Sequence, residues 1–280
     1  MTTRRRSTRS ALFAELMLVA CATALVGVVA FAFRAPEPAD AANATDASGE
    51  AHAADEEIDL DDGAVADPDV DVDELISEAA IAMGDVTSVE FRLERSGAPI
   101  YIDEFESIAL DSMLGQFAVP NSARAQLQVT VDGNLATEIG AVAVGGEVWI
   151  SNPVTGDFEP LPPGIDIDPA RFFDPEGGWQ PLLANLQEVE LVGVDDRNGD
   201  RYHVRGVAPA ADVEDITVGL VRDQDVPIEL WIHPTTSLVT NLEFDTTLDG
   251  ATSDWALELG RYGEPFTIVP PTNVRTEPGS

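Results

Sequence analysis

Apolar and polar residues alternate with a period of two through most of the chain between residues 89 and 262. The clearest apolar positions of two such segments are Val89, Phe91 and Leu93, and then Leu127, Val129 and Val131. Successive side chains of a β-strand point to opposite faces, so each segment predicts a strand with one apolar and one polar face. The pattern therefore indicates a β-rich domain whose apolar faces need a cover.

This alternation, interrupted by turn residues, predicts ten strands. We place them near residues 87–95, 104–114, 122–132, 135–144, 146–151, 188–195, 200–207, 226–233, 237–248 and 254–262. Gly145-Gly146 and Asn198-Gly199 are typical of tight hairpin turns, which favour antiparallel pairing. Helical spacing predicts a helix over 74–83 capped by Asp73, a second over 179–186 and a short one over 210–216.

Ten strands with one apolar face each present more apolar surface than these short helices can cover. Two arrangements solve the problem. The sheet packs on itself as a sandwich, or it curls around a cavity that holds another molecule. The periodicity alone does not distinguish between them.

The N-terminal region predicts a membrane segment. Four arginines in the first ten residues precede an apolar run over residues 11–33. As a helix this run would span about 34 Å, and the hydrocarbon core of a bilayer is about 30 Å thick. The arginines place residues 1–10 in the cytoplasm and the rest of the chain outside. We therefore expect a protein of the cell membrane whose folded domain is extracytoplasmic.

A second interpretation of this region begins at Leu18-Val-Ala-Cys21, which has the form of a bacterial lipobox. Cleavage there would make Cys21, the one cysteine of the chain, an acylated N-terminus. However, the apolar run continues past Cys21 to Phe33, whereas a mature lipoprotein normally becomes polar at once. We favour the uncleaved helix and keep acylation of Cys21 open. Without a partner, Cys21 forms no disulfide within the chain.

From residue 34 to about 73 the chain is rich in Ala, Asp, Glu and Pro and holds no Phe, Tyr or Trp. Such a segment buries too little apolar surface to offset the entropy lost on ordering. We therefore predict a disordered acidic linker over 34–73. The folded domain is expected over 74–271, followed by a disordered tail over 272–280.

Acidic residues outnumber basic ones by 51 to 15, which gives a formal net charge of −36. A surface this negative repels phosphate backbones, so we expect no nucleic-acid partner. It also repels an anionic bilayer, so the folded domain is expected to stand off the membrane.

Residues typical of catalysis or metal binding are scarce. His52 falls in the predicted linker, and His203 and His233 fall in predicted strands, where we expect solvent-facing positions. The chain has no Gly-x-Ser-x-Gly elbow, His-Glu-x-x-His helix, Walker loop or dinucleotide glycine fingerprint. We therefore expect no enzyme, no cofactor and no metal site.

Several packing and turn motifs recur in a family order between about residues 75 and 271. They are SGAPIYID at 96–103, EIGAV at 138–142, EVWI at 147–150, NPVTG at 152–156, FFDPEGGW at 172–179, LWIHPTT at 230–236, SDW at 253–255 and YG at 262–263. In order and spacing the set resembles the LppX/LprA/LprF/LprG lipoprotein family of mycobacteria. The resemblance covers the whole predicted domain, but the apolar run past Cys21 departs from the family's usual lipobox.

The resemblance implies an α+β fold: a strongly curved antiparallel β-sheet, or half-barrel, with helices covering the concave face. It also implies an apolar cavity that holds acyl chains of membrane lipids or glycolipids and carries them outward from the cytoplasmic membrane. A lipid exporter would be a further partner, and the protein is expected to be a monomer. The alternative is a cell-surface β-sandwich that serves adhesion or structure without lipid cargo.

Within this interpretation, the apolar strand positions line the cavity and the helix over 179–186 forms part of its lid. The expected lipid-binding residues are Val89, Phe91, Leu93, Leu127, Val129, Val131, Ile139, Val148, Trp179, Leu182, Leu183 and Leu186. Plain core packing explains the same residues without a ligand, so their role is a hypothesis.

Overall fold

The computed structural model describes residues 60, 66–67, 69–103, 105–161, 169–173, 177–195, 199–217, 221–248 and 250–275. The predicted membrane helix over 11–33, Cys21 and most of the predicted linker lie outside these residues. Within the described ranges, no helix has the length and apolar character needed to cross a bilayer.

The described residues form twelve strands of a single antiparallel sheet. Their bounds are β1 Ser88–Gly97, β2 Ile100–Tyr101, β3 Ile108–Ala118, β4 Ser122–Val131, β5 Leu135–Val144, β6 Glu147–Ser151, β7 Phe158–Pro160, β8 Gln187–Asp195, β9 Arg201–Ala208, β10 Val226–Ile232, β11 Val239–Leu248 and β12 Ala251–Gly260. The order across the sheet is β7-β6-β5-β4-β3-β1-β12-β11-β10-β9-β8, and β2 pairs with β3 outside this path. The described strands thus form one open sheet, which is consistent with the half-barrel that the resemblance implies.

The topology consists of two meanders joined by the first strand. Strands β3 to β7 run outward to one edge, and β8 to β12 return inward from the other edge. Strand β1 pairs with both β3 and β12 and so lies at the centre of the sheet. The fold is therefore held together by long-range pairing around its N-terminal strand.

All ten predicted strands are present, with one clear shift in position. Strand β3 begins at Ile108, four residues later than expected, because residues 105–107 lie in a turn before it. The Asp103 carboxylate accepts hydrogen bonds from the backbone N–H groups of Ser107 and Ile108, at 2.9 and 2.7 Å. The additional strands β2 and β7 are only two and three residues long, too short to show a period.

Three α-helices and one 3-10 helix complete the described structure. They are α1 Val72–Gly84, the 3-10 helix Pro169–Phe173, α2 Trp179–Ala184 and α3 Ala210–Ile216. Helix α1 begins earlier than predicted because Asp71, not Asp73, is its cap. The Asp71 carboxylate accepts from the N–H groups of Asp73 and Glu74 at 3.0 and 3.3 Å. The predicted apolar stripe from Leu75 to Met83 is buried, as expected.

The helices pack against one face of the sheet, called here the inner face. A first buried cluster joins α1, α2 and α3 to the inner residues of β8 to β12, with Leu183 and Leu230 among its fully buried members. A second cluster lies on the inner face of β3 to β6 and includes Val129 and Ile139. The arrangement is consistent with the expected half-barrel, but its apolar interior is divided in two.

The last residues of the predicted linker contact this core. Ala66 is buried and Leu60 packs against the first cluster. The Arg201 guanidinium donates to the carbonyl of Leu60 at 2.7 Å, and the Asp67 N–H donates to the Tyr202 hydroxyl at 2.9 Å. These contacts connect the segment before α1 to the beginning of β9.

Replacing Tyr202 with Phe is expected to loosen this connection, because the N–H of Asp67 loses its acceptor. A net loss of about 1 kcal/mol in the free energy of unfolding is expected for one such hydrogen bond. Thermal melting measures the loss, and limited proteolysis should show faster cleavage before α1. Tyr101→Phe is the matched control, since Tyr101 lies on an exposed position. Equal melting and cleavage of the two variants would contradict the assignment.

On the outer face, Trp231 is buried beneath polar neighbours. Its ring stacks on His203 with centroids 4.5 Å apart, and its indole N–H donates to Asp195 at 3.2 Å. His203 in turn lies 2.9 Å from Glu229, which also pairs with Arg205 at 3.1 Å. His203 is therefore mostly covered, and His233 is fully buried, so the expected solvent-facing positions are wrong for both.

Burial alone would raise the pKa of Glu229, but the hydrogen bonds and charges of His203 and Arg205 outweigh it and the pKa lies below its ordinary value. A carboxylate with a lowered pKa stabilises the fold at neutral pH and loses that contribution as the pH falls through its folded-state pKa. Glu229→Gln is therefore expected to cost less than about 1 kcal/mol at pH 7, since the pair is partly exposed. The difference in melting temperature from wild type should shrink in acid. A difference that stays constant down to acid pH would contradict this.

The C-terminal segment returns to the β7 edge of the sheet. The Phe158 N–H donates to the carbonyl of Asn273 at 3.0 Å, and the Arg275 N–H donates to the carbonyl of Phe158 at 2.7 Å. Arg275 also lies 3.6 Å from Glu159. Residues 273–275, within the predicted tail, thus occupy hydrogen-bonding groups of an edge strand.

Candidate apolar binding site

A line of half-buried apolar side chains crosses the inner face, between the two buried clusters at its centre and beside the second cluster at its β5 end. Its members, called here the band, are Phe91, Leu93, Met113, Ala125, Ala141, Phe244 and Leu257. All seven pack against one or both clusters, yet each keeps part of its surface accessible. An accessible apolar stripe inside a domain is the feature expected of a binding site for an apolar molecule.

Strand register explains why these residues form a continuous line. Leu93 on β1 lies opposite both Met113 on β3 and Leu257 on β12. Ala125 on β4 lies opposite Ala141 on β5. The band therefore runs diagonally across six neighbouring strands, from β11 to β5.

One end of the band has a floor of small residues. Ala123 and Ala143 form the next register pair beside Ala125 and Ala141, so four alanines lie side by side on β4 and β5. On the neighbouring strand β3, the residue opposite Ala125 is Gly115, which has no side chain. Two adjacent strands therefore carry only methyl groups at these four positions.

The Phe91 ring fills the space above Gly115. A Cβ atom at Gly115 would lie 2.2 Å from Cζ of Phe91, far inside van der Waals contact. Nearby, Phe117 on β3 stacks on Phe173 of the 3-10 helix with ring centroids 4.6 Å apart. Aromatic side chains thus bound the alanine floor on its β1 and β3 side.

The two ends of the band differ in polarity. Beyond the alanine floor, Val148 and Ile150 on β6 are buried in the second cluster. At the β11 end, Phe244 stacks on Trp255 at 5.6 Å, and the Trp255 indole N–H donates to the hydroxyl of Thr246 at 2.9 Å. The inner face thus changes from apolar side chains to hydroxyl groups at this end.

The nearest charged group is turned away from the band. Arg95 follows Leu93 on the inner side of β1 and is almost fully buried. Its guanidinium donates to the carbonyl of Leu110 at 2.6 Å and lies 3.8 Å from Asp111. The side chain therefore stabilises the bulge between Leu110 and Ser112, and the band itself is uncharged.

The outer face offers a chemically different concavity. A groove of about 600 Å³ lies over β3 to β6, and its lining mixes polar side chains such as Glu90, Arg124 and Glu138 with apolar ones such as Leu114, Val142 and Phe158. Gln116 donates to Glu90 at 2.6 Å and accepts from Arg124 at 2.9 Å. An alkyl chain in this groove would desolvate its charged groups, so the uncharged band is the better candidate for an apolar ligand.

The predicted site residues fall into three groups. Phe91 and Leu93 belong to the band. Fully packed in the inner face of the sheet are Val89, Leu127, Val129, Val131, Ile139 and Val148. Trp179, Leu182 and Leu183 are buried on α2, whereas Leu186 lies beyond the end of that helix at Ala184 and is half-buried against the first cluster.

Sequence reasoning missed Met113, Ala125, Ala141, Phe244 and Leu257. Two of them could have been found from the period-two pattern. Ala125 lies two residues from Leu127 on β4 and Ala141 lies two residues from Ile139 on β5, so each shares the inner face with a predicted site residue. For Met113 the displaced start of β3 obscured the pattern. Nothing in the period-two pattern separates a covered inner residue from one that stays accessible.

These features define an open antiparallel sheet whose inner face carries helices and an uncharged, accessible line between two packed regions. The family model of the LppX_LprAFG lipoprotein matches residues 71–268. The chain therefore belongs to the LppX_LprAFG lipoprotein family, which confirms the resemblance seen in its motifs.

Two solved structures of this family share the fold. LprF from Mycobacterium bovis is 16% identical, with a TM-score of 0.56 over 71% of this chain and 96% of that one. The lipoprotein LppX from Mycobacterium tuberculosis is 15% identical, with a TM-score of 0.51 over 71% of this chain and 98% of the other. A search of curated proteins finds no match for the chain.

Proposed function

We propose that this protein binds acyl chains of membrane lipids or glycolipids along the band and carries them outward from the cytoplasmic membrane. The observation that carries the proposal is the accessible apolar line between two buried clusters on the inner face. Membership of a lipoprotein family supports it.

The energetics of lipid transfer explain why such a line is needed. Each methylene exposed to water costs about 0.8 kcal/mol, so an acyl chain of about fifteen methylenes faces a barrier of about 12 kcal/mol. A carrier must therefore cover the whole chain. A band that crosses six strands without a charged side chain offers an apolar surface of that extent.

The rest of the chain suits this role. Residues 11–33 anchor the protein in the cytoplasmic membrane, or acylated Cys21 does so, and the domain lies outside. The acidic surface keeps the domain off anionic headgroups, and the linker lets it move between the membrane and an acceptor. The domain acts as a monomeric carrier and not as an enzyme, with a lipid exporter as its partner.

The test is the lipid content of the full-length protein. It is purified from membranes in a mild detergent, extracted with organic solvent and analysed by mass spectrometry for acyl lipid per protein chain. A fusion of residues 1–59 to an unrelated soluble domain, purified in the same way, gives the lipid carried by the N-terminal region alone. Acyl lipid in stoichiometric excess over the fusion supports the proposal. Equal amounts in both preparations would overturn it.

A further inference from the structure

The outer-face groove over β3 to β6 has the size and lining of a second ligand site. Its volume of about 600 Å³ lies within the range of small-molecule sites, about 300–1,000 Å³. Phe158 of β7 and Ser151 of β6 pack over Gly140 of β5, where a Cβ atom would lie 3.2 Å from Cζ of the ring and 3.3 Å from the hydroxyl oxygen. Glycine at this position therefore lets both side chains line the groove.

Arg124 of β4 presents an oriented guanidinium to this groove. Its Nε donates to Gln116 at 2.9 Å, and Gln116 donates to Glu90 at 2.6 Å. Arg261 donates to the same oxygen of Glu90 at 2.9 Å. The two terminal nitrogens of Arg124 have no acceptor among the described residues. Arg124 is therefore held by one side of its guanidinium and can donate to a ligand with the other.

Two buried polar side chains of the lining also keep a donor unused. Asn152 is 6% exposed, and its carbonyl oxygen accepts from the N–H groups of Val154 and Thr155 at 2.9 and 3.2 Å. Its amide nitrogen has no acceptor in the described part of the chain and is not fully enclosed. Ser151 accepts the N–H of Gly140 at 2.7 Å, and its own O–H proton has no described acceptor either.

The lining as a whole suits a ligand with polar edges and an apolar face. Glu138 accepts from Gln128 at 2.8 Å through one oxygen and keeps the other for a ligand, while Leu114, Val142 and Phe158 add apolar surface. An inorganic anion would meet two carboxylates beside the one guanidinium of the described lining. A sugar ring combines apolar C–H faces with hydroxyl groups that both donate and accept, and so matches this mixture.

We propose that the outer-face groove is a carbohydrate site for a mono- or disaccharide unit. Arg124, Ser151 and Asn152 donate to the sugar oxygens, and Glu138 accepts from a hydroxyl. The sugar belongs either to a glycan outside the membrane or to the headgroup of a glycolipid, since both present the same chemistry. The sheet lies between the groove and the band, so this site is independent of the proposed function.

The test offers the full-length protein in mild detergent to immobilised mono- and disaccharides of glucose, galactose and mannose, and calorimetry follows with the sugar that binds. Arg124→Ala should weaken binding by about tenfold or more, because a charged donor is lost. Gln126→Trp should abolish binding, since the indole would occupy the groove from an exposed position. Arg92→Ala and Arg92→Trp are the matched controls, because Arg92 is exposed on the outer face and does not line the groove.

Phosphatidylcholine vesicles that display the same sugar on a lipid distinguish the two sources. Equal affinity for the free and the vesicle-held sugar indicates a glycan, and binding to the vesicles alone indicates a glycolipid headgroup. Either result supports the site if the groove variants lose the binding and the controls keep it. A wild type that binds no sugar in either form, or groove variants that bind as wild type does, would overturn it. Lipid content should stay at the wild-type level in all four variants, so failure of the sugar site leaves the proposed function standing.

Discussion

Leu93→Trp is expected to remove most of the bound lipid from this protein while leaving its fold intact. Leu93 lies at the centre of the sheet, between Met113 and Leu257, and its side chain borders accessible space. The indole would occupy that space. Loss of burial for even two methylenes costs about 1.6 kcal/mol, which corresponds to more than about a tenfold loss of affinity.

The matched control for this variant is Arg92→Trp. Arg92 is the adjacent residue but points to the outer face, where its side chain is 54% exposed and only 3.8 Å from Glu258 in a surface ion pair. Such pairs contribute less than about 1 kcal/mol. Mass spectrometry of extracted lipid compares the two variants at equal protein. Retention of full lipid by Leu93→Trp would exclude the band as the binding site.

Gly115→Ala is expected to destabilise the domain and to disturb the band together. The added methyl group would lie 2.2 Å from Cζ of Phe91, so the ring of this band residue has to move. Overpacking of this kind costs about 1–3 kcal/mol. In a domain of this size each kcal/mol lowers the melting temperature by about 2–4 °C.

Gly260→Ala provides the comparison, because a Cβ atom there meets no heavy atom within 4 Å. Restricting the unfolded chain should make that variant neutral or more stable by about 0.4–1 kcal/mol. Melting temperature and lipid content are measured for both variants. If Gly115→Ala has the same melting temperature as Gly260→Ala and keeps its lipid, Phe91 does not pack against Gly115 as described.

The strands could be predicted from the sequence because each has one buried and one solvated face. Val89, Phe91 and Leu93 alternate with charged residues because successive side chains of β1 point to opposite faces of the sheet. The turn residues predicted hairpins between neighbouring strands, but not the pairing of β1 with β12. The family motifs added the expectation of a curved sheet with helices on one face, which periodicity alone left open.

The accessible band could not be predicted in the same way. Phe91 and Val89 have the same parity on β1, yet only Val89 is fully covered, because the helices and neighbouring side chains reach one and not the other. Whether an inner-face side chain is buried depends on which other elements pack over it, and the strand's own sequence does not record this. For the same reason Val129, one of the expected lipid-binding residues, is fully buried, and a larger side chain there would overpack the second cluster.

Rules that use only neighbouring residues also failed at the ends of helices and in the segment before α1. Asp71 and Asp73 are both good caps, and only the backbone conformation before α1 selects Asp71. Leu186 continues the helical spacing of Trp179, yet α2 ends at Ala184. Leu60 and Ala66 sit in an acidic, alanine-rich segment, and their burial depends on contacts with β9 far along the chain.

The central claim is that an acyl chain lies along the inner face between the two clusters, and residue-level photo-labelling tests it most directly. Full-length protein in its membrane is loaded with a lipid that carries a diazirine in the middle of its acyl chain, irradiated, and the modified residues are identified by mass spectrometry. The account predicts adducts on Leu93, Met113 and Leu257. Adducts confined to the outer face, or no adduct on the domain at all, would contradict it.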